Sequence, residues 1–176
     1  MEYQLDGGLI AGKFVNVTRL FAGEPCHNGL LLGVGESLVL LLQFHDFYPE
    51  GYTILRTKDI LKVRSGERES FWESILRSEG IISQVEISSD IPLNNIKSFL
   101  ETQLGQHLII ECENQDSEED EFYIGRLLSL KDGFASQRTF NSLGVWDDYP
   151  TNISYDKITK LQFNTPYIKI ISKYLH

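Results

Sequence analysis

Two stretches decide the architecture: GLLLGVGESLVLLLQF (29–44) and GRLLSLKDGFASQRTF (125–140). Set side by side at a shift of 96, they pair Gly29 with Gly125, Leu31 with Leu127, Leu32 with Leu128, Val34 with Leu130, Glu36 with Asp132, Leu38 with Phe134 and Phe44 with Phe140. After a two-residue change in loop length the match resumes at a shift of 98: Thr53 with Thr151, Leu55 with Ile153, Ile60 with Ile158, Lys62 with Lys160, Val63 with Leu161. Few of these positions are identical, but order, spacing and apolar character persist. Each stretch ends in a helical pattern, Phe71, Trp72, Ile75 and Leu76 in one and Ile170, Ile171, Tyr174 and Leu175 in the other. The chain reads as a duplication, with one unit in residues 1–80 and a second in 81–176.

Each unit offers five strand-like segments, over 12–20, 28–35, 38–45, 52–56 and 60–64, then over 107–113, 121–131, 134–141, 152–155 and 158–163. Gly35-Glu36-Ser37 and Lys131-Asp132-Gly133 suit tight hairpins. Five short strands cannot hide an apolar face in a flat sheet, whereas closing into a barrel hides it and removes open edges. The expected fold is therefore mainly β with helices: two tandem five-stranded small barrels, each followed by a helix, with a linking strand and helix between them. A barrel of that size is filled by its own side chains, which leaves function to the rim and outer face.

Ser65 is the expected cap of a first helix ending at Gly80, and Ile81, Val85 and Ile87 suggest the linking strand. Asp90 with Pro92 opens a helix carrying Ile96, Phe99, Leu100 and Leu104, which Gly105 ends. Thr165 and Pro166 open the last helix, with Tyr167, Ile170, Ile171, Tyr174 and Leu175 on a stripe expected to cover the barrels.

The composition is that of a globular protein: 176 residues, 41% hydrophobic and 23% charged. The longest apolar run, Leu38 to Leu42, is five residues, far short of the roughly 20 a membrane span needs. With acidic residues rather than Lys or Arg near Met1, the reading is a cytoplasmic chain with no membrane partner. Cys26 and Cys112 are then free thiols of a reducing compartment, and no metal-ligand spacing occurs. Seven of the acids behind the net charge of −9 fall in residues 111–121, so the acidity is local.

Gly33-Val34-Gly35-Glu36 followed by Leu38, and Ile54-Leu55-Arg56-Thr57-Lys58-Asp59-Ile60, resemble the two sequence motifs of the Sm-like proteins within the broader class of SH3-like small barrels. The resemblance implies a small-barrel fold and an RNA-associated role. It does not bring that family's RNA-binding residues: no Asn stands between Glu36 and Leu42, Thr57 occupies the place of a Gly, and Ser154 replaces the Arg in the second unit.

Three groups are candidate sites. Phe47, Tyr48 and Tyr52, with Trp146 and Tyr149 in the second unit, form paired aromatic loops suited to gripping another protein. Arg56, Lys58, Lys62 and Arg64 form a basic stripe that could track phosphates, with Tyr48 and Tyr52 as stacking partners. The run 116–121 could hold a hard cation but lacks the spacing of a calcium loop. Cys26-His27 and His45-Asp46 do not recur in the second unit and read as a loop thiol and an exposed histidine. No catalytic constellation, cofactor or metal is expected. The functional expectation is a non-catalytic protein-binding module, such as an immunity-type or assembly partner, and an RNA-associated small barrel is the alternative. Two fused units could remain monomeric or stack as a homo-oligomer.

Overall fold

Gly29 and Gly125 stand where neighbouring strands run too close for a side chain. A Cβ at 29 would lie 2.6 Å from the Leu42 carbonyl oxygen, and one at 125 would lie 2.0 Å from that of Arg138. Just beyond each glycine the strand pairing slips, between Leu31 and Gly33 in one hairpin and between Leu127 and Ser129 in the other. Such bulges increase local twist and bend the strand.

The computed structural model describes residues 11–21, 26–82, 90–114 and 120–176. Its first half runs β1 (Phe14–Arg19), β2 (Cys26–Val34), β3 (Leu38–His45), β4 (Tyr48–Arg56), a 3-10 turn (Thr57–Asp59), β5 (Ile60–Arg64) and α1 (Glu67–Ser78). The second runs α2 (Ile96–Glu101), β6 (His107–Cys112), β7 (Glu121–Lys131), β8 (Phe134–Thr139), β9 (Thr151–Ser154), β10 (Lys160–Phe163) and α3 (Pro166–Ile171).

The expectation of two closed barrels is overturned. The strands form one open, ten-stranded antiparallel sheet, ordered β5-β1-β2-β3-β4-β10-β6-β7-β8-β9. Each half has the same internal order, but the free edge of β4 is taken by β10, not by β5. Leu55 pairs with Lys160, Ile54 with Leu161, Thr53 with Gln162 and Tyr52 with Phe163. An unpaired strand edge does require cover, but the second half supplies it where barrel closure would have.

Burial is shared in the same way. One core cluster joins Phe14, Leu30, Leu40 and Phe44 of the first half to Phe99, Leu108, Leu127 and Phe163 of the second. Along β3, Leu38, Leu40 and Leu42 enter that cluster, while Val39 and Leu41 enter another with Val15, Val17, Leu31, Leu55 and Ile60. Period-two side chains on a strand covered on both faces explain the unbroken apolar run 38–42.

The helices start at local signals. The Glu69 carboxylate accepts the Gly66 N–H at 2.9 Å, so α1 is capped from Gly66 and not from Ser65. The Asn95 side chain accepts the Ser98 N–H of α2, not Asp90, and Thr165 accepts the Ile168 N–H of α3 with Pro166 at its first turn. Val85 and Ile87, on which the linking strand rests, lie outside the described residues, as does 116–119 of the acidic run. No described helix is long and apolar enough to cross a membrane.

Candidate functional site

The paired aromatic loops divide into rings that hold the fold and rings that face out. Tyr52 stacks on Phe163 at 5.0 Å across the β4–β10 seam, and Trp146 packs against His107, Phe140 and the Arg138 guanidinium. Phe47 stacks on Trp72 of α1 at 4.8 Å. Tyr48 and Tyr149, by contrast, are 76% and 82% exposed. Of the five candidates, these two are free to meet a partner with most of the ring.

Further apolar side chains are exposed on α3 and in loop 143–146. On α3, Ile168 is buried, whereas Tyr167 and Ile170 are 54% and 60% exposed; the helix ends at Ile171, short of the expected stripe, and Tyr174 just beyond it is 70% exposed. Leu143 and Val145 are exposed beside Gly144, whose carbonyl accepts the His176 N–H while the His176 carbonyl accepts the Trp146 N–H. Loop 143–146 is thereby fastened beside the chain's last residues. The β3–β4 hairpin of the first half adjoins the start of α3, since a Cβ added at Gly51, at φ +100, would lie 2.8 Å from the Thr165 Cα. The spacing of Tyr167, Ile170 and Tyr174 was visible in the sequence; the side on which it faces was not.

The basic stripe does not form one surface. Arg56 and Lys58 line a cleft of about 590 Å³ at the seam with Lys97, Glu36, Tyr155 and Asp156. The Arg56 guanidinium donates to Asp59 at 2.5 Å and to the Asp156 carbonyl at 2.8 Å, binding the two halves together. Lys58 and Lys97 then face Glu36 and Asp156 in a cleft of nearly balanced charge, which is a poor track for phosphates. Lys62 and Arg64 lie on the outer strand β5, with Arg64 ion-paired to Glu69 at 2.8 Å.

His27 is not a loop residue. It lies on β2, 1% exposed, between Arg19 Nε, which donates to its Nε2 at 2.9 Å, and Gln43 Oε1 at 3.1 Å from its Nδ1. The imidazole is therefore neutral, with its proton on Nδ1, and both ring nitrogens are engaged by side chains other than the exposed thiol of Cys26. Burial pushes the Cys112 thiol up to about 12, which makes it a poor nucleophile. His45 and Asp46 form the exposed β3–β4 turn, with Asp46 at φ +52. No group of three or more potential metal ligands occurs among the described residues.

Compared with known proteins, the chain matches no family model, no curated protein and no solved structure.

Proposed function

We propose that the chain is a non-catalytic protein-binding module that docks its partner on the face built from α3, loop 143–149 and Tyr48. The observation that carries this reading is the outward exposure of Tyr167 and Ile170 on a helix whose other side, at Ile168, is buried, together with exposed Tyr174 just past its end. Contiguous exposed apolar surface on a soluble fold marks interaction sites, and tyrosines supply large contact area with few rotatable bonds. In its specific, immunity-type form the partner is a basic protein, steered by the acidic run 116–121. Capture from lysate by the wild type, compared with a Tyr167→Ser/Ile170→Asp/Tyr174→Ser variant, tests the reading. A partner lost only with the variant supports it; one retained by the variant counts against it.

A further inference from the structure

The sheet ends in two strands, β5 and β9, that pair on one side only among the described residues. Their counterparts in the other half are known from strand order: β5 holds the place of β10, and β9 holds the place of β4. Those counterparts are joined to each other in the interior seam. The molecule thus contains one worked example of how its two outer edges fit, and the edges that would repeat the example lie at opposite ends.

We infer that a second copy of this chain is the occupant of these edges, with β9 of one molecule pairing antiparallel to β5 of the next. The interior seam sets the register. Lys62 occupies on β1 the place that Lys160 occupies on β6, since Thr18 pairs with Lys62 and Glu111 with Lys160. Transferring the seam's pairs places Lys62 opposite Ile153, Val63 opposite Asn152 and Arg64 opposite Thr151.

Charge separates this arrangement from edge pairing of like with like. Residues 60–68 carry Lys62, Arg64 and Arg68 against Glu67, whereas the stretch leading into β9 carries Asp147 and Asp148 with no nearby cation in sequence. Two β5 edges brought together oppose cations with cations, and two β9 edges oppose acids with acids, which is unfavourable across a strand pair. Only the β5–β9 pairing joins opposite signs. Edge lysines and a proline next to a short strand, as in Lys62 and Pro150, discourage indiscriminate pairing and leave a specific one open. The contact is heterologous, so it propagates head to tail. It is also more polar than the interior seam: where Tyr52 stacks on Phe163, the new junction has Pro150 and Ser65. It is a weaker junction that strengthens at low salt.

Two chains with one introduced cysteine each test the register in a Cys26→Ser background, where the native thiol left is the buried Cys112: a tagged Arg64→Cys chain mixed with an untagged Thr151→Cys chain under mild oxidation. Directly opposed antiparallel residues have Cα atoms about 4.5–5.5 Å apart, inside the disulfide range of about 4.4–6.8 Å. The mixed disulfide is expected to exceed both like-with-like products, and to fall with added salt. Val63→Cys with Asn152→Cys repeats the test without disturbing the Arg64–Glu69 pair. Light scattering of the unmodified protein should show mean mass rising with concentration, and Lys62→Glu should hold the mass at that of the monomer. No mixed disulfide above the like-with-like background for either pair, or a mass that stays monomeric at low salt, overturns the inference.

Discussion

Arg19 and Glu113, 94 residues apart in the chain, meet across the two halves in a two-pronged ion pair with both N–O distances at 2.7 Å. Neither side chain is more than 5% exposed. Around them a polar chain runs from Thr159, whose hydroxyl donates to Glu113, through Arg19, His27 and Gln43 to Glu50 and Thr53. Such a network is stabilising only while every member is satisfied, because the desolvation cost of each charge has already been met by its partner.

Removing one partner of this pair should therefore be severe. Arg19→Met or Glu113→Leu alone leaves the other charge buried, and is expected to lower unfolding stability by about 3–5 kcal/mol. The double replacement should cost less than the two single ones combined. Arg64→Ala, which breaks a pair whose arginine is 45% exposed and screened by solvent, should cost far less than either of those single replacements. Urea denaturation followed by circular dichroism measures all four. Equal, small losses for Arg19→Met and Arg64→Ala would show that the buried pair does not bind the halves together.

The two close-approach glycines make a graded prediction. Gly29→Ala and Gly125→Ala both drive a methyl group into a neighbouring carbonyl, and the approach is tighter at 125, at 2.0 Å against 2.6 Å. Losses of about 1–3 kcal/mol are expected from such overpacking, with the larger at 125. Gly133→Ala meets no atom within 4 Å, so its cost arises from its φ of +87 alone and should be about 1 kcal/mol. Thermal unfolding of the three variants should rank them Gly125, Gly29, Gly133, and Gly133→Ala as the worst of the three would refute the packing argument.

Acid should loosen the second half at His107. Burial, then the charge of Arg126, holds this imidazole below its ordinary value of 6.5, and its Nε2 is buried without a hydrogen-bond partner. A lowered folded-state value means the unfolded chain takes the proton first. The contribution is fully present above 6.5 and is lost as pH falls from there through the folded value. His107 lies 5.9 Å from Trp146, so that indole's fluorescence reports the site. In a Trp72→Phe background, the denaturation midpoint read at Trp146 should fall between neutral and mildly acidic pH. His107→Phe should flatten part of that slope; an unchanged slope would place the acid sensitivity elsewhere, with neutral His27 the next candidate.

Local features were legible because they depend on neighbours in sequence. The turn at Gly133, the bounds of β3 and β7 and the Thr165–Pro166 start of α3 each follow from short-range chemistry. What failed was the identity of distant partners. An apolar run at β4 states that an edge must be covered, but the pairing of Ile54 with Leu161 is specified by nothing within either segment. The same limit hid His27, whose burial depends on Arg19 and Gln43 reaching it from other strands. Of the five aromatic candidates, Tyr52 and Trp146 were absorbed by packing for the same reason, and Arg56 was absorbed by Asp59 and Asp156.

The outward stripe of α3 separates stability from binding. Ile168 is 7% exposed on the buried side of the helix, and Ile168→Ala should cost about 2–5 kcal/mol through lost transfer energy and the cavity left behind. Ile170 lies two residues away and is 60% exposed, so Ile170→Asp removes little buried surface. Its stability should change by no more than about 0.5 kcal/mol, the usual range for surface positions. If the stripe were covered by the chain's own residues in solution, Ile170→Asp would instead destabilise as Ile168→Ala does. Chemical denaturation of the two variants decides between an exposed face kept for a partner and a face the protein already uses to hold itself together.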